Sequence, residues 1–295
     1  MALFGQNTRG RRMSGSTIGT CAQARFGLVL ALGLLAGCGG FDPRAAGALD
    51  QYSAEQIYQK GELEVETGDP ADAAFYFGEI ERLYPYSEWA QRALIMQAFA
   101  YHKDRDYPNS RAAAQRYLDF YPAESDAPYA QYLLALSYYD QIDEIGRDQG
   151  LTFQALQALR AVIEQYPDSE YARASILKFD LAFDHLAAKE MEVGRYYLKR
   201  KNYAAAVNRF RVVVEQFQTT SQTPEALHRL VEAYLSLGLT DEAQTAGAIL
   251  GTNYPSTEWY QDSFALLTGR GLEMRATGDN WLASIYRQVV RGEWL

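Results

Sequence analysis

Cysteine is almost missing from this chain of 295 residues: two occur, Cys21 and Cys38, both near the N-terminus. The rest of the sequence therefore offers no disulfide, no catalytic thiol and no thiolate metal site. Histidine is as scarce, and His102, His185 and His228 stand far apart, outside HExxH or any other ligand spacing. Beyond the N-terminal segment there is no glycine loop to cradle a phosphate and no GxSxG elbow. No metal, cofactor or catalytic residue is expected. Proline is limited to nine residues, and none falls between Glu170 and Arg200. Cations are outnumbered, 28 Lys and Arg against 37 Asp and Glu, for a formal charge of −9. So acidic a chain lacks the electrostatic footprint of a nucleic-acid binder. The apolar run from Phe26 to Leu35 is too short to span a bilayer.

That run follows Arg25 and ends in Leu35-Ala36-Gly37-Cys38. The order of basic residue, apolar segment, small residues and cysteine has the layout of a secretory signal and resembles the lipobox of bacterial lipoproteins. The alternative is an ordinary signal with a coincidental cysteine. Met13 is a second candidate start. The resemblance implies a mature chain beginning at Cys38, carrying S-diacylglycerol and N-palmitoyl chains. Several chains anchor firmly at ~0.8 kcal/mol per buried CH₂. Gly39 stands where an inner-membrane retention aspartate is often found, so the resemblance implies the outer membrane, on its periplasmic face. Residues 1–37 hold four arginines and no acid; without them 24 cations face 37 acids, a net −13.

What the remainder has in quantity is a repeat. Tyr-Pro occurs at Tyr84-Pro85, Tyr121-Pro122, Tyr166-Pro167 and Tyr254-Pro255. Twelve residues before each proline lies a small residue: Ala73, Ser110, Ala155 and Ala243. Ala206 opens a fifth unit whose proline position is Gln218. Twelve residues upstream of the small residue stand Gly61, Ala98, Gly194 and Val231, and three further on Glu64, Tyr101, Tyr197 and Tyr234. The spacing resembles the tetratricopeptide repeat, a helix–turn–helix unit. Small residues let paired helices approach, and proline stops the second helix. Ser87-Glu88, Ser169-Glu170 and Thr257-Glu258 then supply a cap and an acid for the next helix. The expected fold is all-α: a right-handed α-solenoid of five such helix pairs with a C-terminal capping helix.

The repeat interval is 37 residues except twice. It is 45 between the second and third units, where Asp140–Gly150 reads as a loop. It is 51 between the third and fourth, an excess of fourteen residues, close to four helical turns, within Glu170–Arg200. One unusually long helix accounts for it. The organisation is then 1–37 signal, 38–51 lipidated tether, 52–125 repeats one and two, 126–168 repeat three with its loop, 169–255 repeats four and five, and 256–295 capping helix and extension. Ser256–Thr268 reads as the cap that a solenoid end requires. Trp281, Leu282, Ile285, Tyr286 and Val289, at helical spacing, either extend that cap or form a separate docking helix.

Tetratricopeptide arrays bind peptides along the face lined by their first helices. Candidate groove residues there are Tyr58, Ile95, Phe99, His102, Tyr129, Tyr132 and Tyr139; for Tyr58, Phe99, Tyr132 and Tyr139, groove and inter-repeat core are both open readings. Leu186-Ala187-Ala188-Lys189-Glu190, Tyr196-Tyr197 and Ala206-Val207-Asn208-Arg209 further resemble the BamD/ComL family over about Ala54–Asn253. The resemblance implies a non-enzymatic lipoprotein of the outer-membrane β-barrel assembly machinery. Its implied partners are a BamA-like barrel subunit, other lipoproteins of the complex, unfolded barrel precursors and, through the lipid, the membrane. It places contact with the BamA-like subunit at Arg200, Asn208 and Arg209; otherwise Arg209 pairs with an acid such as Glu215 or is solvated. The missing proline at Gln218 and the C-terminal extension depart from the family pattern. The rival reading is a repeat lipoprotein that coordinates envelope constriction or peptidoglycan synthesis.

Overall fold

The computed structural model describes residues 47–276 and 281–287. Cys38, the apolar run before it, the start of the tether and Val289 lie outside the described residues. Twelve helices and no strand occur among the described residues. The first ten form five antiparallel pairs: α1 (Ala54–Thr67) with α2 (Pro70–Leu83), α3 (Glu88–Lys103) with α4 (Tyr107–Phe120), α5 (Ala127–Tyr139) with α6 (Gly150–Gln165), α7 (Glu170–Lys199) with α8 (Tyr203–Gln216), and α9 (Thr223–Leu237) with α10 (Thr240–Asn253). α11 (Glu258–Thr268) covers the end of the fifth pair, and the short α12 (Trp281–Ile285) packs on α10. From α1 to α11 each helix packs on its neighbours in sequence, and contacts also run between α1 and α3, α3 and α5, α5 and α7, and α9 and α11. The first helices are thus the more closely spaced row, the inner face of an all-α tetratricopeptide-like solenoid.

Small side chains set the close approach. Ala73, Ser110, Ala155, Ala206 and Ala243 are all fully buried. In the second pair Ser110 Oγ donates to the carbonyl of Ala98 at 2.9 Å, joining the two small positions directly. Gly61 receives the ring of Phe77, and Gly194 that of Phe210; a methyl at either glycine would fall within 3 Å of ring carbons. In the fifth pair Val231 and Gly247 stand at these two positions, and Gly247 instead faces Leu267 and Met274.

Helix ends follow local chemistry. Ser87, Ser169 and Thr257 each accept from the backbone N–H three residues on, as N-caps. Tyr84, Tyr121, Tyr166 and Tyr254 are the C-caps of α2, α4, α6 and α10, with proline next. Phe217 takes the same role in α8 although Gln218 replaces proline. There the turn is held by Thr220 and Thr223 hydroxyls, both donating to the Phe217 carbonyl. Between paired helices Gly68 and Gly238 adopt positive φ. Arg105 and Lys201 adopt it at the equivalent places, with φ of 62° and 60°.

The two irregular intervals fit together. α7 runs for 30 residues, about twice the other first helices. Its middle carries the loop after α5: Lys189 Nζ donates to the Gly146 carbonyl at 2.8 Å, and His185 Nδ1 lies 3.1 Å from Gln149 Oε1. On another side Asp184 accepts from the Ser221 N–H and hydroxyl and from Gln222, tying α7 to the turn before α9. At the far end, Trp281 Nε1 donates to the Tyr234 hydroxyl at 3.0 Å and Arg211 stacks on the Trp281 ring. Leu282 and Ile285 join the core of the last two repeats, so the described part of the C-terminal segment extends the cap.

Candidate functional site

Two surfaces gather the candidate residues. On the inner row, Tyr58 packs between Phe77 and Trp89, with ring centroids 5.3 and 5.0 Å away, and Arg92 lies over Trp89. Two repeats on, Tyr129 and Tyr132 both pack on Tyr171, at 5.2 and 5.4 Å. Tyr139 carries Lys178 over its ring, and Phe99 carries Lys103. Tyr58, Phe99, Tyr132 and Tyr139 are each half-buried, with one part of the ring in the seam between repeats and the rest facing solvent. Ile95 is core. His102 turns toward Asp140, 3.0 Å away, and its ring packs edge-on against Tyr107.

Burial pushes the phenols of Tyr58, Tyr132 and Tyr139 up, with nearby carboxylates adding to it, and takes Tyr129 to about 12. All stay neutral at ordinary pH. They offer contact area and a hydrogen-bonding tip, not a proton to transfer.

Trp89 and Tyr171 escape a periodicity search. The missed signal is local: Ser87-Glu88-Trp89, Ser169-Glu170-Tyr171 and Thr257-Glu258-Trp259 place an aromatic directly after each cap and acid. That residue points back onto the preceding first helix, as Trp259 does onto His228 and Arg229.

The second surface is the α7–α8 corner. Lys199, Arg200 and Lys201 are exposed and have no carboxylate partner among the described residues. Arg200 lies over the ring of Tyr196, which is itself 49% exposed. Further along α8, Asn208 and Arg209 are exposed. Arg209 Nη1 donates to Glu190 Oε2 of α7 at 3.1 Å. The expected alternative partner, Glu215, instead takes Arg211 at 2.8 Å, one helical turn away. Six residues turn a helix through about 240° beyond a full turn, so Arg209 and Glu215 occupy different faces. The remaining histidines are structural: His228 is buried with Nδ1 2.8 Å from Ser263 Oγ, and burial pulls its pKa down. No group of three or more His, Cys, Asp or Glu among the described residues is arranged to hold a metal ion. No described helix is long and apolar enough to cross a membrane.

The family described as YfiO, outer membrane lipoprotein, matches residues 50–250. The chain is 44% identical over 244 residues to the outer membrane protein assembly factor BamD of Caulobacter vibrioides, covering 83% of this chain and 80% of that protein. It is 41% identical to the protein of the same name from Rickettsia prowazekii, covering 72% and 84%. It is 29% identical to that of Neisseria meningitidis serogroup A, covering 78% and 91%. By family match and by identity across most of its length, the chain belongs to the BamD family of outer membrane protein assembly factors.

Proposed function

We propose that this chain is a lipid-anchored, non-enzymatic scaffold that works in the assembly of β-barrel proteins at the periplasmic face of the outer membrane. Family membership supports the assembly role, and the lipobox-like segment ending in Cys38 supports the anchor. The observation that carries the reading of its partner is the α7–α8 corner. A chain of net charge −9 there exposes three consecutive cations, one of them lying over the half-exposed ring of Tyr196. Such a corner suits a carboxylate-bearing protein surface, and a BamA-like barrel subunit is the partner we assign to it. Arg209 would exchange Glu190 for a carboxylate of that subunit. Asn208 and Arg200 flank the contact. The half-buried aromatics of the inner row, with Tyr58, Phe99, Tyr132 and Tyr139 at their centre, would engage unfolded precursors by apolar contact.

The test is recovery of the barrel subunit with Arg209→Glu. Removing one member of a buried charged pair at an interface costs about 2–5 kcal/mol, so recovery should fall at least tenfold. The melting profile should stay put, because Arg209 is exposed and its pair with Glu190 lies at the surface. Undiminished recovery would sink the assignment of this corner.

A further inference from the structure

The long helix α7 carries an apolar stripe that the rest of the described fold leaves bare. Leu177, Leu181 and Ile176 are 68%, 63% and 45% exposed. At 100° per residue they share an arc of about 140° with Asp180 and Asp184. Leu181 stands between two hollows. One, of about 400 Å³, is bounded by Phe183, Asp184 and the 219–221 turn. The other, of about 460 Å³, is bounded by Tyr139, Ile142 and His185. Single exposed leucines are ordinary, but a stripe of three whose last member, Leu181, has a hollow on each side has the relief into which a second helix packs.

Charge narrows the occupant. Asp180 is exposed with no partner among the described residues, and Asp184 spends its oxygens on the neutral Ser221 and Gln222. Asp140 and Asp143 line the second hollow, beside His102 and Arg147 respectively. Arg173 marks the N-terminal end of the stripe. Lys178 lies over Tyr139 at the margin of the second hollow, and the stripe itself, with Asp180 and Asp184, is apolar and acidic, which repels an anionic lipid surface.

We propose that this stripe docks an amphipathic helix of a partner protein. Apolar side chains of that helix seat on both sides of Leu181, and its lysines or arginines face Asp180 and Asp184. This site lies apart from the Arg209 contact and does not depend on it.

The probe is a fluorescent helical peptide of roughly five turns built from leucine and lysine, with a leucine–glutamate peptide of the same apolar face as comparison. Anisotropy with the purified chain should show saturable binding of the lysine peptide and none of the glutamate peptide. Leu177→Ser with Leu181→Ser should weaken binding at least tenfold, and Asp180→Lys at least threefold. Both changes are at exposed positions; circular dichroism checks the fold, and Leu177→Gln with Leu181→Gln replaces the serine pair if that pair misfolds. Unchanged affinity of the double variant, or equal binding of the glutamate peptide, overturns the proposal. So does co-sedimentation with phosphatidylcholine vesicles that depends on Leu177 and Leu181, which would assign the stripe to lipid.

Discussion

Gly194→Ala sets two effects of known size against each other. Alanine is favoured over glycine inside a helix by about 1 kcal/mol. Against that, a methyl at Gly194 would lie 2.4 Å from Phe210 Cε1 and 2.8 Å from Cδ1 and Cζ. Relaxed carbon contacts sit near 3.5–4.0 Å, so the ring must retreat by about 1 Å. Phe210 is fully buried among the last two repeats and has no space to retreat into. Overpacking costs about 1–3 kcal/mol, and so large a displacement belongs at the top of that range. The net loss is then about 2 kcal/mol. At roughly 2–4 °C per kcal/mol for a chain of this size, the melting temperature should fall by about 4–8 °C. The assay is a thermal melt by circular dichroism on four proteins: parent, Gly194→Ala, Phe210→Leu and the double variant. The smaller leucine should take up the added methyl, making the double variant at least about 1 kcal/mol more stable than the single effects add up to. A Gly194→Ala protein that melts at or above the parent would refute the reasoning, because helix propensity would then outweigh a contact that is not confined.

Three further outcomes are expected. Arg105→Gly relieves a left-handed backbone at φ 62°; set against the greater freedom of glycine when unfolded, the gain is about 0.5 kcal/mol, and a lowered melting temperature would contradict it. Burial lowers the pKa of His228 in the fold despite Glu232 at 3.7 Å, so the unfolded chain takes up the proton more readily. The stability this histidine contributes is complete above its unfolded pKa of about 6.5 and declines as pH falls through that value toward the folded one. Melting temperature should drop between about pH 7.5 and 5.5, and His228→Asn should flatten the slope; parallel slopes would exclude this origin. With Arg209→Glu in place to release the barrel subunit, Cys38→Ser should shift the chain from the membrane fraction to the soluble one; continued membrane fractionation of that double variant would refute the anchor.

The helix pairs were legible in the sequence because close packing constrains composition. A small residue twelve places before the proline of Tyr-Pro leaves few alternatives to two helices in contact. The long helix showed itself as an excess near a whole number of turns in a stretch without proline. What escaped notice depends on pairs distant in sequence. Arg209 and Glu190 meet across two helices, and no local spacing announces it. Gln218 takes the place of the proline stop, yet Phe217 ends α8 because Thr220 and Thr223 hold the turn from outside the helix. The four groove candidates could not be sorted by pattern, since each ring serves the seam and the surface at once. Trp89 and Tyr171 were readable in principle, from the cap–acid–aromatic triplet.

α7 also acts as a lead screw. Each of its 30 residues advances the chain about 1.5 Å and turns it about 100°. It spans from the tyrosines of the third repeat to the cationic corner of the fourth without a loop that could absorb a change in length. Separation and angle between those two surfaces are therefore set together, by a residue count. A single deletion inside α7 would not merely shorten the molecule; it would swing one surface about a quarter turn away from the other.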